Sequence, residues 1–243
     1  MLEVKLTKRR TVAAGTTELI LTLPSCADFN FEAGQHLELI LPAPKYQDDL
    51  GSRRFFSIAS SPNRRPELRL AYRDSPSAFK RTLAELPLGA PLQIDGPFGS
   101  FTLFEPTDEA GGPETQPMLF VAGGIGITPF LSLLEALAAN KSPRPVTLLY
   151  ANQTPESAAY LSELKSLLAQ LPNGKLIEHY GKLESGAFQF LISNLPDGKA
   201  GFQIPKASCF IAGPAAMNAV AFGALQKLGV PRQNLLLEDF SGY

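Results

Sequence analysis

Residues 118–134 read Met-Leu-Phe-Val-Ala-Gly-Gly-Ile-Gly-Ile-Thr-Pro-Phe-Leu-Ser-Leu-Leu, and the reading of this run decides the fold. Residues 119–122 form a short apolar segment with aromatic and β-branched members, the pattern of a buried strand. Gly123, Gly124 and Gly126 then permit a tight turn and leave backbone N–H groups unobstructed. Pro129 suits the first turn of a helix whose apolar face holds Phe130, Leu133, Leu134 and Leu137. Strand, glycine turn and helix N-terminus together make an anion site suited to a pyrophosphate. A compact strand-to-helix turn without a ligand fits the same residues, because a glycine-rich loop alone is a weak signal.

Between Met118 and Ala139 the only charge is Glu135, so the segment is also long enough to suggest a membrane span. Its clustered glycines and proline favour a strand followed by a buried helix, and no basic, apolar leader opens the chain at Met1. The expectation is a soluble protein with no membrane span.

The 243 residues suffice for two domains of ordinary size, and a 44% apolar content allows each a packed core. A net charge of −1 gives no electrostatic reason to expect nucleic acid or an anionic membrane as partner. Cys26 and Cys209 are far apart and lack metal-type spacing, so no metal site is expected and a cytoplasmic location fits. Two cysteines also exclude a built-in iron–sulfur cluster, which needs about four cysteine ligands. His36 and His179 stand alone and read as structural or exposed.

The first hundred residues read as β. Short apolar or alternating runs at 19–23, 37–41, 55–59, 68–72 and 92–94 are separated by Gly, Pro, Asn and Asp, which predicts a closed antiparallel barrel or a sandwich. One helical segment, 77–86, interrupts them. Residues 104–117 then carry three prolines, two adjacent glycines, four acids and no base. This linker composition divides the chain into domains at 1–104 and 117–243. Beyond it strands at 119–122, 146–150, 176–179, 209–212 and 235–237 alternate with helices at 129–140, 155–171, 188–195 and 215–228. That alternation predicts a doubly wound parallel sheet with helices on both faces, binding ligands at strand carboxyl ends. The glycine turn and Ala212-Gly213-Pro214 both lie at such ends.

Arg54-Phe55-Phe56-Ser57 sits in a strand-like run, where Arg54 and Phe56 share a face. A cation beside an exposed aromatic can hold a phosphate and a flat ring of one ligand; a core strand with a flanking ion pair fits as well. Followed by Ile58-Ala59-Ser60-Ser61-Pro62, the tetrapeptide resembles the Arg-x-Tyr/Phe-Ser flavin motif of the ferredoxin–NADP reductase superfamily. Gly124-Ile125-Gly126-Ile127-Thr128-Pro129 resembles that family's Gly-x-Gly-x-Thr/Ala-Pro nucleotide loop. Ala33-Gly34-Gln35, Gly96-Pro97-Phe98-Gly99-Ser100-Phe101 and Ala212-Gly213-Pro214 match its lesser signatures, and Glu238-Asp239-Phe240 its Glu-x-aromatic ending. These motifs fall in the family's order and span nearly the whole chain.

The resemblance implies an N-terminal antiparallel β-barrel that binds flavin and a C-terminal doubly wound α/β domain that binds nucleotide. It implies that Arg54 grips the flavin pyrophosphate, Phe56 stacks on the isoalloxazine and Ser57 lies near its N5. Ala78, Phe79 and Lys80 would offer a second phosphate contact, though many relatives have Ser where Lys80 stands. Gly124, Gly126, Thr128, Gly213 and Pro214 would hold the nicotinamide nucleotide. Ser57 and Glu238 would be the catalytic pair, with Phe240 or Tyr243 covering the flavin. Ala212 replaces the cysteine of plant-type members, so no active-site thiol is expected. The implied cofactors are FAD, with FMN the alternative, and NAD(P)H. Gln153 is uncharged and Glu156 would repel a 2′-phosphate, which favours NADH, whereas Lys182 is a rival cation. The implied activity is hydride transfer from NAD(P)H to flavin, then electron transfer to a separate ferredoxin, flavodoxin or oxygenase component. Reduction of free flavin or ferric chelates, and a redox-sensing subunit without turnover, are the competing readings.

Overall fold

The computed structural model describes residues 1–103, 116–193 and 204–239, so most of the linker at 104–117 lies outside the described residues. The first sheet is antiparallel and six-stranded: β1 (Leu2–Ala13), β2 (Thr16–Thr22), β3 (His36–Ile40), β4 (Arg53–Ser57), β5 (Glu67–Arg73) and β6 (Pro91–Phe98). Their order is β4-β3-β6-β1-β2-β5. Just past β4 the Ala59 N–H donates to the Arg69 carbonyl of β5 at 2.8 Å, drawing the end strands together like a barrel. Alternate residues fill the interior, among them Leu19, Leu21, Leu37, Leu39, Leu68 and Leu70, as the period of two requires. β1 escapes sequence reading because its basic residues mask the alternation and only Val4 and Leu6 are buried.

Helix α1 (Ala78–Glu85) begins where expected: the Ser77 side chain accepts from the Lys80 N–H, and Phe79 and Leu83 plug the barrel.

The second sheet is parallel: β7 (Met118–Gly123), β8 (Val146–Asn152), β9 (Lys175–Tyr180), β10 (Ser208–Gly213) and β11 (Leu235–Asp239), in the order β11-β10-β7-β8-β9. Helices α2 (Ile127–Ala139) and α3 (Leu161–Ala169) cover the face of Phe120, Leu148 and Phe210. Helices α4 (Ser185–Ser193) and α5 (Ala215–Lys227) cover that of Val121, Leu149 and Ile211. The strand order reverses between β7 and β10, so the turns after these two strands meet at the switch point, where such sheets bind ligands.

The helix expected over 155–171 is broken. Pro155–Ser157 forms one 3-10 turn, closed by reciprocal bonds between Thr154 and Ser157, and α3 starts only at Leu161. Tyr160 between them takes φ +63°, and its buried ring lies 5.2 Å from the Arg69 guanidinium. Tertiary packing therefore overrides helical periodicity there. α4 starts a turn earlier than expected, and residues 194–195 lie outside the described residues. No helix among the described residues is long and apolar enough to cross a membrane.

Helix α2 joins the two sheets. Ser132 donates to the Ser60 carbonyl at 2.7 Å, and Glu135 accepts from the Ser61 N–H at 2.8 Å and from Arg64 at 2.7 Å. Buried Arg69 of β5 reaches Glu135 at 3.0 Å, Glu163 of α3 at 2.6 Å and Glu18 of β2 at 2.8 Å. A buried cation shared by three carboxylates fixes how the barrel meets the parallel sheet, since removing one partner strands the others.

Candidate active site

A cleft of about 890 Å³ opens at the switch point, lined by Gly123, Gly124, Gly126, Gly213 and Pro214. Gly124 needs its missing Cβ for its backbone, at φ +54°. Gly126 needs it for space, because a Cβ there would stand 2.3 Å from the Ala212 carbonyl oxygen. The absence of a side chain at Gly126 thus lets the turn pack on the end of β10. A Cβ on Gly123 or Gly213 would strike Met217, at 2.4 and 2.6 Å. Thr128 is buried and donates to the Ile125 carbonyl at 2.9 Å, tying the loop to its helix.

Two residues that sequence reading passed over hold this loop pair. The Tyr150 hydroxyl donates to the Gly124 carbonyl at 3.2 Å and accepts from the Ala159 N–H. Burial pushes that hydroxyl up to about 12, so it stays a neutral donor. The Asn218 amide donates to the carbonyls of Gly213 at 2.9 Å and Glu238 at 3.1 Å, fastening the ends of β10 and β11.

On the barrel side a recess of about 70 Å³ is lined by Phe55, Phe56, Ser57, Tyr72, Lys80 and Thr128, among others. Phe56 is not the exposed aromatic expected: it is 6% exposed and packs on Phe79 and Tyr72, while Phe55 is 43% exposed. The β-strand alternation puts Phe56 inside once Arg54 leans over the Phe79 ring, 5.1 Å away. Ser57 is buried at the recess wall and faces His36 in the β3–β4 ladder. Phe79 is core. Lys80 faces the recess, and burial together with the Arg54 charge lowers its pKa. Arg54, Lys80 and the Ala78 N–H thus form one cationic donor set, which suits a phosphate. A carboxylate, that of Asp48, already sits on it, 3.4 Å from Arg54 Nη2 and accepting from the Ala78 N–H at 3.3 Å.

Cleft and recess share two walls, Arg73 and Ile125. Arg73, at the end of β5, donates to the Ser157 carbonyl and the Thr16 hydroxyl, both at 2.8 Å. Its only sequence signal was a cation closing an apolar strand. Glu238, on β11, lies 3.4 Å from His36 of β3. Phe240 and Tyr243 lie outside the described residues. Gln153 and Lys182 line the cleft, where Lys182 is exposed and pairs with Glu184 at 3.4 Å, while Glu156 is exposed outside it. Cys209 is buried in β10, and desolvation raises its thiol to about 12. Among the described residues no cluster of His, Cys, Asp and Glu could hold a metal ion.

Two family models match the chain: the oxidoreductase FAD-binding domain over residues 3–103 and the oxidoreductase NAD-binding domain over residues 120–221. The chain is 30% identical over 249 residues to ferredoxin–NADP reductase B of Sorangium cellulosum, covering 98% of this chain and 97% of that protein. It is 26% identical over 223 residues to the reductase component of propane 2-monooxygenase from Rhodococcus jostii, covering 88% of this chain but 57% of that protein. Among solved structures, flavohemoglobin from Malassezia yamatoensis superposes with a TM-score of 0.79 at 22% identity, over 99% of this chain and 60% of that one. The chain belongs to the ferredoxin–NADP reductase superfamily, with an FAD-binding and an NAD-binding domain. Its residues fit both cofactors: glycines that a Cβ would obstruct bring two loops together at the cleft, and a cationic donor set flanks the recess.

Proposed function

We propose that this chain is a flavoprotein reductase that oxidises NAD(P)H and passes electrons to a separate acceptor protein, a ferredoxin, flavodoxin or oxygenase component. The observation that carries this reading is the shared wall of cleft and recess, Arg73 with Ile125. A nucleotide in one and a flavin at the other can then bring their rings together, which supplies much of the rate of a transfer reaction. Flavin supplies the conversion of a hydride pair into single electrons. In this reading residues 1–104 hold FAD and residues 117–243 hold the nucleotide. Arg54, Ala78 and Lys80 neutralise the flavin phosphates, and Phe79 supports Arg54 from below. Phe56 packs under the ring, Ser57 borders its reactive edge, and Phe240 or Tyr243 covers it. Gly124, Gly126, Thr128, Gly213 and Pro214 shape the nucleotide turn pair, and Glu238 closes the nicotinamide end.

NADH is the favoured donor, because Gln153 is uncharged and, of the cleft cations, Lys182 is paired with Glu184 and Arg73 is bonded to Thr16 and Ser157. The names of the relatives, a ferredoxin reductase and a monooxygenase reductase component, support a protein acceptor. The cysteine content favours the cytoplasm.

The purified protein should be yellow through desalting, and its visible absorption should bleach within the mixing time scale of stopped flow on adding NADH, more slowly with NADPH. A colourless protein that binds neither FAD nor FMN overturns the reading. A second reading, reduction of free flavin, is favoured by the size of the recess, well under the ~300–1,000 Å³ typical of ligand pockets. Flavin lost on desalting but turned over when supplied in solution would select it.

A further inference from the structure

Between β3 and β4 the chain makes a loop over residues 42–52 that folds back on the N-terminus of α1. Tyr46 anchors it: its N–H donates to the Thr82 hydroxyl at 3.1 Å, its hydroxyl to Glu85 at 3.0 Å, and Arg81 lies 3.9 Å over its ring. Lys45 adds an ion pair with Glu85. From this anchor the loop carries Asp48 onto the donor set that would receive the flavin phosphates.

Asp48 uses both carboxylate oxygens. Oδ1 accepts from the Leu50 N–H at 3.1 Å and lies 3.4 Å from Arg54 Nη2, while Oδ2 accepts from the Ala78 N–H at 3.3 Å. Arg54 Nη1 donates to the carbonyls of Leu50, Gly51 and Arg53 at 2.8, 3.1 and 2.6 Å. The same loop therefore occupies both ends of the guanidinium. A phosphate and a carboxylate satisfy a helix N-terminus and an arginine by the same physics, charge-assisted N–H···O bonds. They cannot share these donors, because two anions in contact repel. Asp48 is the loop's only group on the helix N–H, its side chain is 30% exposed, and beyond Tyr46 the tip is held by one turn bond, Gly51 N–H to the Asp48 carbonyl, and by its contacts with Arg54 and Ala78. Residues 47–51 contribute no bond to the β3–β4 ladder, so moving the tip breaks none of the barrel's strand pairing.

We propose that Asp48 is an internal competitor for the flavin phosphate: the loop must release Arg54 and the Ala78 N–H before a phosphorylated flavin can take them. This rests on the flavin reading above. Asp48 then sets how tightly the flavin is kept, and hence whether it behaves as a resident cofactor or an exchangeable one.

The test is titration of apoprotein with FAD, FMN and riboflavin, followed by flavin fluorescence, for the wild type and Asp48→Asn. Asparagine keeps the acceptor for the Leu50 N–H but not the charge. Expected are tighter binding of FAD and FMN to the variant, on the order of tenfold for one like charge removed from a partly screened site, and an unchanged affinity for riboflavin, which has no phosphate. Unchanged or weaker FAD binding in Asp48→Asn overturns the proposal, as does an equal gain for riboflavin, which would make the loop a general lid. If the variant does not fold, amide hydrogen exchange on the wild type decides. Adding FAD should deprotect the Leu50 amide and protect that of Ala78, whereas protection of both shows that Asp48 stays in place and refutes the competition. Failure of the wild type to bind any flavin is a separate result, and it refutes the functional reading instead.

Discussion

His36 Nδ1 on β3 lies 3.4 Å from Glu238 Oε1 on β11, so a strand of the barrel touches the last strand of the parallel sheet. His36 is opposite Ser57 in its ladder, and Gly99 leaves it room, since a Cβ there would come within 2.7 Å of the ring. Glu238 is thereby held beside the strand that carries the proposed flavin contact. Glu238→Ala should slow flavin reduction at saturating NADH by roughly tenfold or more, through poorer positioning of the nicotinamide against the flavin. Flavin content should not change. The partly exposed pair contributes at most about 1 kcal/mol, so melting should barely shift. An unaltered limiting rate in single-turnover reduction would remove Glu238 from the site.

Arg54→Ala should yield a folded protein that loses flavin on desalting. The contacts it deletes are to an exposed loop, to Asp48 and to the face of the buried Phe79 ring, so stability should fall by no more than about 1–2 kcal/mol. Arg54→Lys should fall between, because an ammonium keeps the charge without the planar fork. Absorbance ratios of the desalted proteins measure this, and full flavin content in Arg54→Ala would exclude the phosphate role.

The strands and turns that position the site were legible because they depend on local pattern. The glycine turn after β7, the Ala212-Gly213-Pro214 turn and the helix that starts next to Ser77 all stand where sequence placed them. Three things were not legible, each for a non-local reason. β1 is a strand because two neighbours pair with it, not because its own residues alternate cleanly. Phe56 turns inward because α1 closes the barrel and supplies Phe79 beneath it. Tyr150, Arg73 and Asn218 act through carbonyls of segments distant in sequence, and a single side chain advertises no such partner. Glycine was easy to find but not to interpret, since the neighbour that excludes a Cβ at Gly126 lies on another strand.

The interface cluster predicts an acid-sensitive increment of stability. Burial alone would push the Glu163 carboxyl up, but its hydrogen bonds to Arg69 and the Arg69 charge outweigh this and hold it below the usual carboxylate range. A lowered folded value means the increment is present above the unfolded value of about 4.3 and is lost as pH falls through the folded one. Glu163→Gln should therefore be less stable than wild type at pH 7 (chosen as roughly neutral), by an amount between the ~1 kcal/mol of exposed pairs and the ~3–5 kcal/mol of buried ones. The two unfolding curves should converge in acid. A difference that persists unchanged below the carboxylate range would show that Glu163 acts by packing and not by charge.

Two glycine-to-alanine substitutions should have opposite effects. Gly223 lies inside α5 with nothing within 4 Å of the place an added methyl would take, so Gly223→Ala relieves the helix of its most flexible residue. It should raise stability by about 0.5–1 kcal/mol and leave turnover alone. Gly126 has an ordinary helical backbone, but its Cβ would overlap the Ala212 carbonyl oxygen at 2.3 Å and its carbon at 2.6 Å. Backbone cannot rotate away as a side chain can, so the turn after β7 must separate from the end of β10. Gly126→Ala should raise the KM for NADH well above the wild-type value and lower the melting temperature, with the flavin spectrum intact because the atoms nearest that methyl belong to Ala212 and Gly213 and not to the barrel. If Gly126→Ala kept wild-type KM and melting temperature, the two strand-end turns would not be packed as described, and the cleft between them could not be the nucleotide site.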